Sequence, residues 1–133
     1  MKSITLRTGR RCEFVDITGD VQKAVEECGL ENGLAMVFVP HTTAGVTINE
    51  NADPSVVADL LESLERLVPQ HGKYRHREGN SDAHCKASLM GSSVSVAVEG
   101  GRLVLGSWQG IYFCEFDGPR RRKFGVLVLA GLR

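Results

Sequence analysis

Apolar positions alternate with polar ones near both ends of the chain and recur at helical spacing between them, and this change of period marks out the elements. Residues 2–8 place Ile4 and Leu6 on one face, and residues 11–17 alternate Cys12 and Phe14 with Val15 and Ile17. They predict an opening pair of strands about the turn Thr8-Gly9-Arg10. Ile17, Val21, Ala24, Val25 and Cys28 then share a helical stripe, with Thr18 as N-cap, Asp20 in the first turn and Gly29 as C-cap. The run Gly33 to Pro40 is apolar on both alternating faces, as in a strand covered on both sides, and ends at His41. Val46 to Asn49 is a further strand. Asp53-Pro54 opens a second helix with Val56, Val57, Leu60, Leu61, Leu64 and Leu67 along one stripe, and Pro69 closes it.

The stretch from Gln70 to Lys86 is too polar for an element core and reads as a long functional loop. From Ser93 the chain forms a meander. Val94, Val96 and Val98 alternate, Glu99-Gly100-Gly101 turns, and Leu103 and Leu105 begin the next strand. Gly110 to Phe116 and Lys123 to Ala130 complete it on either side of Asp117-Gly118-Pro119. Residues 1–133 thus form a single α+β domain: a two-layer, largely antiparallel β-sandwich with two main helices packed on it. The strand from Phe124 to Ala130 is apolar on both faces, a surface suited to burial between subunits.

Sixteen basic and sixteen acidic residues give zero formal net charge, which speaks against a nucleic-acid partner. With no apolar run approaching the ~18 residues of a membrane span and no signal-peptide pattern, the expectation is a cytoplasmic protein without a membrane partner. Cys12, Cys28, Cys85 and Cys114 have no C-x-x-C spacing and are expected as thiols.

The chemistry concentrates in polar, turn-rich motifs. His41 stands in P-H-T-T-A-G, His76 in Y-R-H-R-E-G and His84 in N-S-D-A-H-C-K, whereas His71 follows a helix end and reads as a favourable C-terminal cation. Were the first three to converge, three imidazoles with an open fourth position would hold a catalytic divalent metal, Zn2+ or Mg2+. Thr42, Thr43, Asn49 and Glu50 would then orient ligands or substrate. Glu115 shares a strand face with Ile111 and Phe113, so its carboxylate needs a partner, either structural or catalytic. In Gly118-Pro119-Arg120-Arg121-Arg122, a strand would turn Arg120 and Arg122 to one side as two forks for phosphate oxygens, with Lys86 near His84. Trp108-Gln109 offers a ring for stacking and an amide for polar recognition.

The ordered motifs P-H-T-T-A-G-V-T-I-N-E-N-A-D-P, Y-R-H-R-E-G-N-S-D-A-H-C-K-A-S-L-M-G-S-S, G-R-L-V-L-G-S-W-Q-G-I-Y and E-F-D-G-P-R closely resemble the YjbQ-like family, also called the secondary thiamine-phosphate synthase family. The resemblance covers nearly the whole chain. It implies a compact α+β fold assembled as a homotrimer, with a polar site near a subunit boundary. It also implies a weak thiamine-phosphate synthase activity on small phosphorylated molecules, coupling hydroxymethylpyrimidine diphosphate to thiazole phosphate with loss of pyrophosphate. By the same resemblance His41, His76 and His84 match the metal or active-site histidines. Asn49, Glu50, Lys86, Gln109, Glu115 and Arg120 fall in the surrounding motifs, and Cys85 departs from an aliphatic position of the pattern. Two other classes use the same residues: a metal-dependent hydrolase with Glu50 or Glu115 as general base, and a non-enzymatic ligand or metal binder.

Overall fold

Each alternating segment becomes a strand by burying one comb of side chains against a facing layer. A computed structural model describes residues 1–131, with eleven elements in the order β1 (Lys2–Arg7), β2 (Glu13–Asp16), α1 (Thr18–Cys28), β3 (Gly33–Phe38), β4 (Ala44–Glu50), α2 (Pro54–Leu67), α3 (Ser81–Met90), β5 (Ser93–Glu99), β6 (Arg102–Leu103), β7 (Gln109–Glu115) and β8 (Arg121–Ala130). The strands form a five-stranded sheet, β1-β8-β3-β5-β6, and a three-stranded sheet, β2-β7-β4, and every pairing is antiparallel.

The main core lies between the sheets. Val37, Val39, Val96, Phe124 and Val126 of the large sheet and its β3–β4 connection meet Val46, Ile111 and Phe113 of the small one. Ile17, Val21 and Ala24 join this core from the start and inner face of α1, while Val25 packs on Ala35 and Val98. The other face of β7 is also covered. Tyr112 and Cys114, with Phe116 just beyond the strand, lie under Leu64 of α2 and Ala83 and Ala87 of α3. Burial on both sides explains why β7 reads as an almost unbroken apolar run.

The α+β class and the antiparallel layers are those expected, but several details differ. Residues 81–90 are the helix α3 rather than loop, so three helices flank the sheets, and α1 shares with the small sheet the task of covering the large one. The helical stripe of α3 is faint because its buried side consists of Ala83 and Ala87 with the charged Asp82 and Lys86. Thr18 is the first helical residue and not the cap. Asp16 Oδ1 accepts the Thr18 amide at 2.9 Å, and the Thr18 hydroxyl accepts the Ile111 amide at 2.8 Å, tying α1 to β7. Asp53 does cap α2, accepting from the Ser55 amide at 2.9 Å, with Pro54 in the first turn. Leu105 lies outside β6, which is only two residues long.

The outward face of the large sheet carries a row of apolar pairs, Leu34 opposite Leu129 and Met36 opposite Leu127, and Leu34 and Leu129 remain 40% and 51% exposed. The opposite side of the molecule is tightly closed at Gly45, where α3 ends against β4. A Cβ on Gly45 would lie 2.7 Å from the Gly91 carbonyl oxygen and 3.1 Å from Met90 Cβ. Gly45→Ala is therefore expected to cost about 1–3 kcal/mol by forcing α3 away from the strand. Urea denaturation measures this, and an unchanged midpoint would show that the helix does not close there.

Candidate functional site

Three connections meet at one end of the two sheets and border an open polar cavity of about 450 Å³. The β3–β4 connection supplies His41, Thr42 and Thr43, the segment entering α3 supplies Glu78 and Asn80, α3 itself supplies His84, and the β7–β8 connection supplies Asp117 and Arg120, with Arg122 at its edge. The frame beneath is a buried ion pair. Glu115 is fully buried and Arg122 nearly so, and Arg122 Nε donates to the two carboxylate oxygens at 2.9 and 3.2 Å. Arg122 Nη2 also donates to Thr43 Oγ1 at 2.8 Å, while Thr8 Oγ1 donates to Glu115 Oε1 at 2.7 Å and the Phe116 and Asp117 amides donate to Oε2 at 3.1 Å. Burial pushes the Glu115 carboxyl up, but the bonds from Arg122, Thr8 and the Asp117 amide outweigh it and hold the group below the ordinary carboxylate range.

From this frame a hydrogen-bonded chain runs along the cavity. Arg120 donates to the Asp117 carboxylate at 3.1 Å and to its carbonyl at 2.9 Å, and Asn80 Nδ2 donates to the same carboxylate at 2.9 Å. Asn80 Oδ1 is thereby left to accept from His76 Nε2 at 3.0 Å. The His76 ring stands edge to face with His84, centroids 5.4 Å apart. His41 lies across the cavity, its ring against Phe113, with Nε2 3.1 Å from the Lys123 amide. The same Nε2 lies 3.0 Å from the Lys123 carbonyl oxygen, so it accepts from the amide when bare and donates to the carbonyl when protonated. Burial, then the nearby Arg122 charge, lower the His41 pKa and outweigh the bond to the Lys123 backbone.

The expected site residues are thus divided. His76 and His84 are neighbours, and His84 shares the cavity wall with His41, Thr42, Thr43, Arg120 and Arg122. Among the described residues, however, no group of three or more His, Cys, Asp or Glu side chains is placed to hold a metal together. The donor set for a Zn2+ or Mg2+ ion is incomplete within one chain.

Lys86 is turned away from the cavity. It is 1% exposed and pairs with Asp82 at 2.8 Å and Glu65 at 2.7 Å, while Arg11 grips Asp82 from the other side at 2.9 and 3.1 Å. Lys86 and Glu115, expected to act on substrate, are framework charges here. Thr43 is likewise committed to Arg122.

Asn49, Glu50 and Gln109 stand at the far end of the small sheet, where Glu50 is opposite Gln109, while Ala44 is opposite Glu115. Six residue steps along β4 separate the ends by about 20 Å. Asn49 Oδ1 accepts the Glu50 amide at 2.7 Å and Gln109 Oε1 accepts the Gly106 amide at 2.8 Å, so both serve local turns. Within one chain neither Glu50 nor Glu115 lines the cavity.

Arg120 and Arg122 also do not form a pair of forks. β8 begins at Arg121, so only Arg122 follows the strand alternation and turns inward, and Arg120 stays in the preceding turn beside Asp117. The residues missed from the sequence are Asn80 and Asp117, which organise the cavity. Asp117 was visible only as part of a turn, and Asn80 only as polar loop.

Fold and site together define a small antiparallel α+β protein with a histidine-bearing polar cavity where its sheets end. The family model described as "UPF0047 protein YjbQ-like" matches residues 2–131, and the chain belongs to that family. It is 52% identical to the UPF0047 protein YugU of Bacillus subtilis over 92% of this chain and 93% of the relative. It is 51% identical to the UPF0047 protein MJ1081 of Methanocaldococcus jannaschii over 93% and 90%. A crystal structure of a yjbq/upf0047 family protein from Clostridium acetobutylicum, 56% identical, superposes with a TM-score of 0.96 over 97% of this chain and all of the other.

The lowered His41 pKa has a measurable sign. A group depressed in the folded state contributes stability above its unfolded value near 6.5, and that contribution is lost as pH falls through the lower folded value. The His41 Cε1 proton should therefore titrate with a midpoint below 6.5 by NMR, and a midpoint at or above it would remove the burial and the Arg122 charge as controlling influences.

Proposed function

We propose that the cavity binds a phosphorylated small molecule and that the chain carries a weak thiamine-phosphate synthase activity, joining hydroxymethylpyrimidine diphosphate to thiazole phosphate with release of pyrophosphate. The observation that carries this reading is the polar cavity itself, with the imidazoles of His41 and His84 and the half-exposed Arg120 guanidinium around one space. In this reading the rings of His41 and His84 and the Arg120 guanidinium donate to phosphate oxygens as negative charge gathers on the departing pyrophosphate. The walls align the thiazole nitrogen with the pyrimidine methylene carbon, and the network through Asn80 and Asp117 keeps Arg120 and His76 in place. The incomplete metal donor set enters no step.

A hydrolase would need a base, and the two carboxylates considered for it, Glu50 and Glu115, stand respectively outside the cavity and within the buried pair. Glu78, His41 and His84 line the cavity and are groups a hydrolase would use as base, so the preference for the transferase rests on the family resemblance. The active protein is further taken as a homotrimer, a state supported by the uncovered apolar row Leu34, Met36, Leu127 and Leu129 and by the family resemblance.

Purified protein supplied with both precursors should form thiamine phosphate, His84→Ala should lower the rate at least ~100-fold, and Gln109→Ala should leave it unchanged. Product formation unaffected by His84→Ala, or pyrimidine diphosphate hydrolysis without coupling, would reject the synthase reading. Light scattering should return about three times the 14.5 kDa chain mass, and a monomer mass would reject the trimer.

A further inference from the structure

The arginine run carries a second consequence, because the cations left over by the buried pair are the odd-numbered ones. Arg122 and Arg120 are offset by Glu115 and Asp117. Arg121 and Lys123 instead point outward from β8, on the face opposite to Arg122. In the β1–β8 ladder Arg7 stands directly opposite Arg121, and Thr5 directly opposite Lys123. Like charges facing each other across a strand pair destabilise it. Among the described residues no carboxylate forms an ion pair with Arg7, Arg121 or Lys123. The sheet thus carries an uncompensated cationic strip at a cost to its own stability.

The strip borders a basin of about 310 Å³ lined by Thr5, His41, Arg121, Arg122 and Lys123. His41 therefore lies between two spaces, the polar cavity on one side and this basin on the other. The residues lining the basin include Thr5, Arg121 and Lys123 and no acidic residue, residue types that supply donors to a phosphate or diphosphate group. The strip sits at the start of β8, and the apolar residues Leu127 and Leu129 lie four and six residues beyond Lys123.

We infer that Thr5, Arg121 and Lys123 form an anion subsite for the phosphate or diphosphate group of a small molecule, beside His41 and separate from the polar cavity. Arg7 adds long-range attraction. Its place in the reaction rests on the proposed function above, since two phosphorylated reactants need two anion positions; the binding itself does not depend on that function.

The test is a titration of the full chain with inorganic phosphate and inorganic pyrophosphate, followed by amide NMR. Thr5, Arg121 and Lys123 signals should shift saturably, with pyrophosphate binding more tightly, and should do so equally in His84→Ala. The double substitution Arg121→Ser with Lys123→Ser should weaken pyrophosphate binding at least ~10-fold. Both side chains are exposed, so the remaining spectrum should keep its dispersion. Vesicles of phosphatidylglycerol should not capture the protein, which separates a small phosphorylated ligand from a lipid headgroup. Shifts confined to Thr42, Asn80 and His84, affinity unchanged in the double variant, or vesicle binding without pyrophosphate binding would overturn the subsite. A failed synthase assay alongside intact basin binding would instead reject the reaction and leave the subsite standing.

Discussion

The ion pair between Arg122 and Glu115 sets the geometry on which both the fold and the cavity depend. It joins β8 to β7 from opposite sheets, and Thr43 and Thr8 bring the start of β4 and the end of β1 to the same point. Two charges removed from water are costly unless every remaining lone pair and proton is matched. Here the carboxylate receives Arg122, the Thr8 hydroxyl and two backbone amides, and the guanidinium reaches Thr43. No buried side-chain nitrogen or oxygen lacks a partner among the described residues. Such a saturated knot favours one register of β8 over its neighbours, because a slip of one residue would turn Arg122 outward together with the buried Phe124 and Val126.

That register decides which chemistry reaches solvent. With Arg122 turned in, Asp117 is free to organise Arg120 and Asn80 around the cavity, and Arg121 and Lys123 are turned out beside His41. A second buried network repeats the principle under α3. Asp82 and Lys86, one helical turn apart, bind Arg11 and Glu65 and anchor the helix that presents His84. Framework and site are thus separated by residue even where they alternate along the chain.

Much of the fold was legible because its signals are local. The apolar run of β3, the Asp53-Pro54 start of α2 and the Gly29 stop of α1 are local signals, and each element appears close to where it was expected, although the outward face of β3, expected to be covered, is left partly open with Leu34 exposed. The helix α3 was not legible as a helix, since a buried face made of two alanines and a salt bridge has almost no hydrophobic contrast. The demand that Glu115 find a partner was also readable from the alternation along β7. Its partner was not, because β8 is apolar on both alternating faces, and strand period does not decide whether Arg122 or its neighbours turn inward. His76, His84 and Arg120 were recognised, while Asn80 and Asp117, which hold His76 and Arg120 in place, were not. Glu50 and Gln109 were placed in the site by motif proximity, and the antiparallel register carries them to the other end of the sheet.

The central claim is that one saturated ion pair ties the two sheets together, and a double-mutant cycle tests it most directly. Denaturation midpoints for Glu115→Ala, Arg122→Ala and the double variant should show each single substitution costing about 3–5 kcal/mol by leaving a buried charge alone, with the double variant well short of their sum. Single variants within about 1 kcal/mol of the parent chain, or strictly additive costs, would contradict the account.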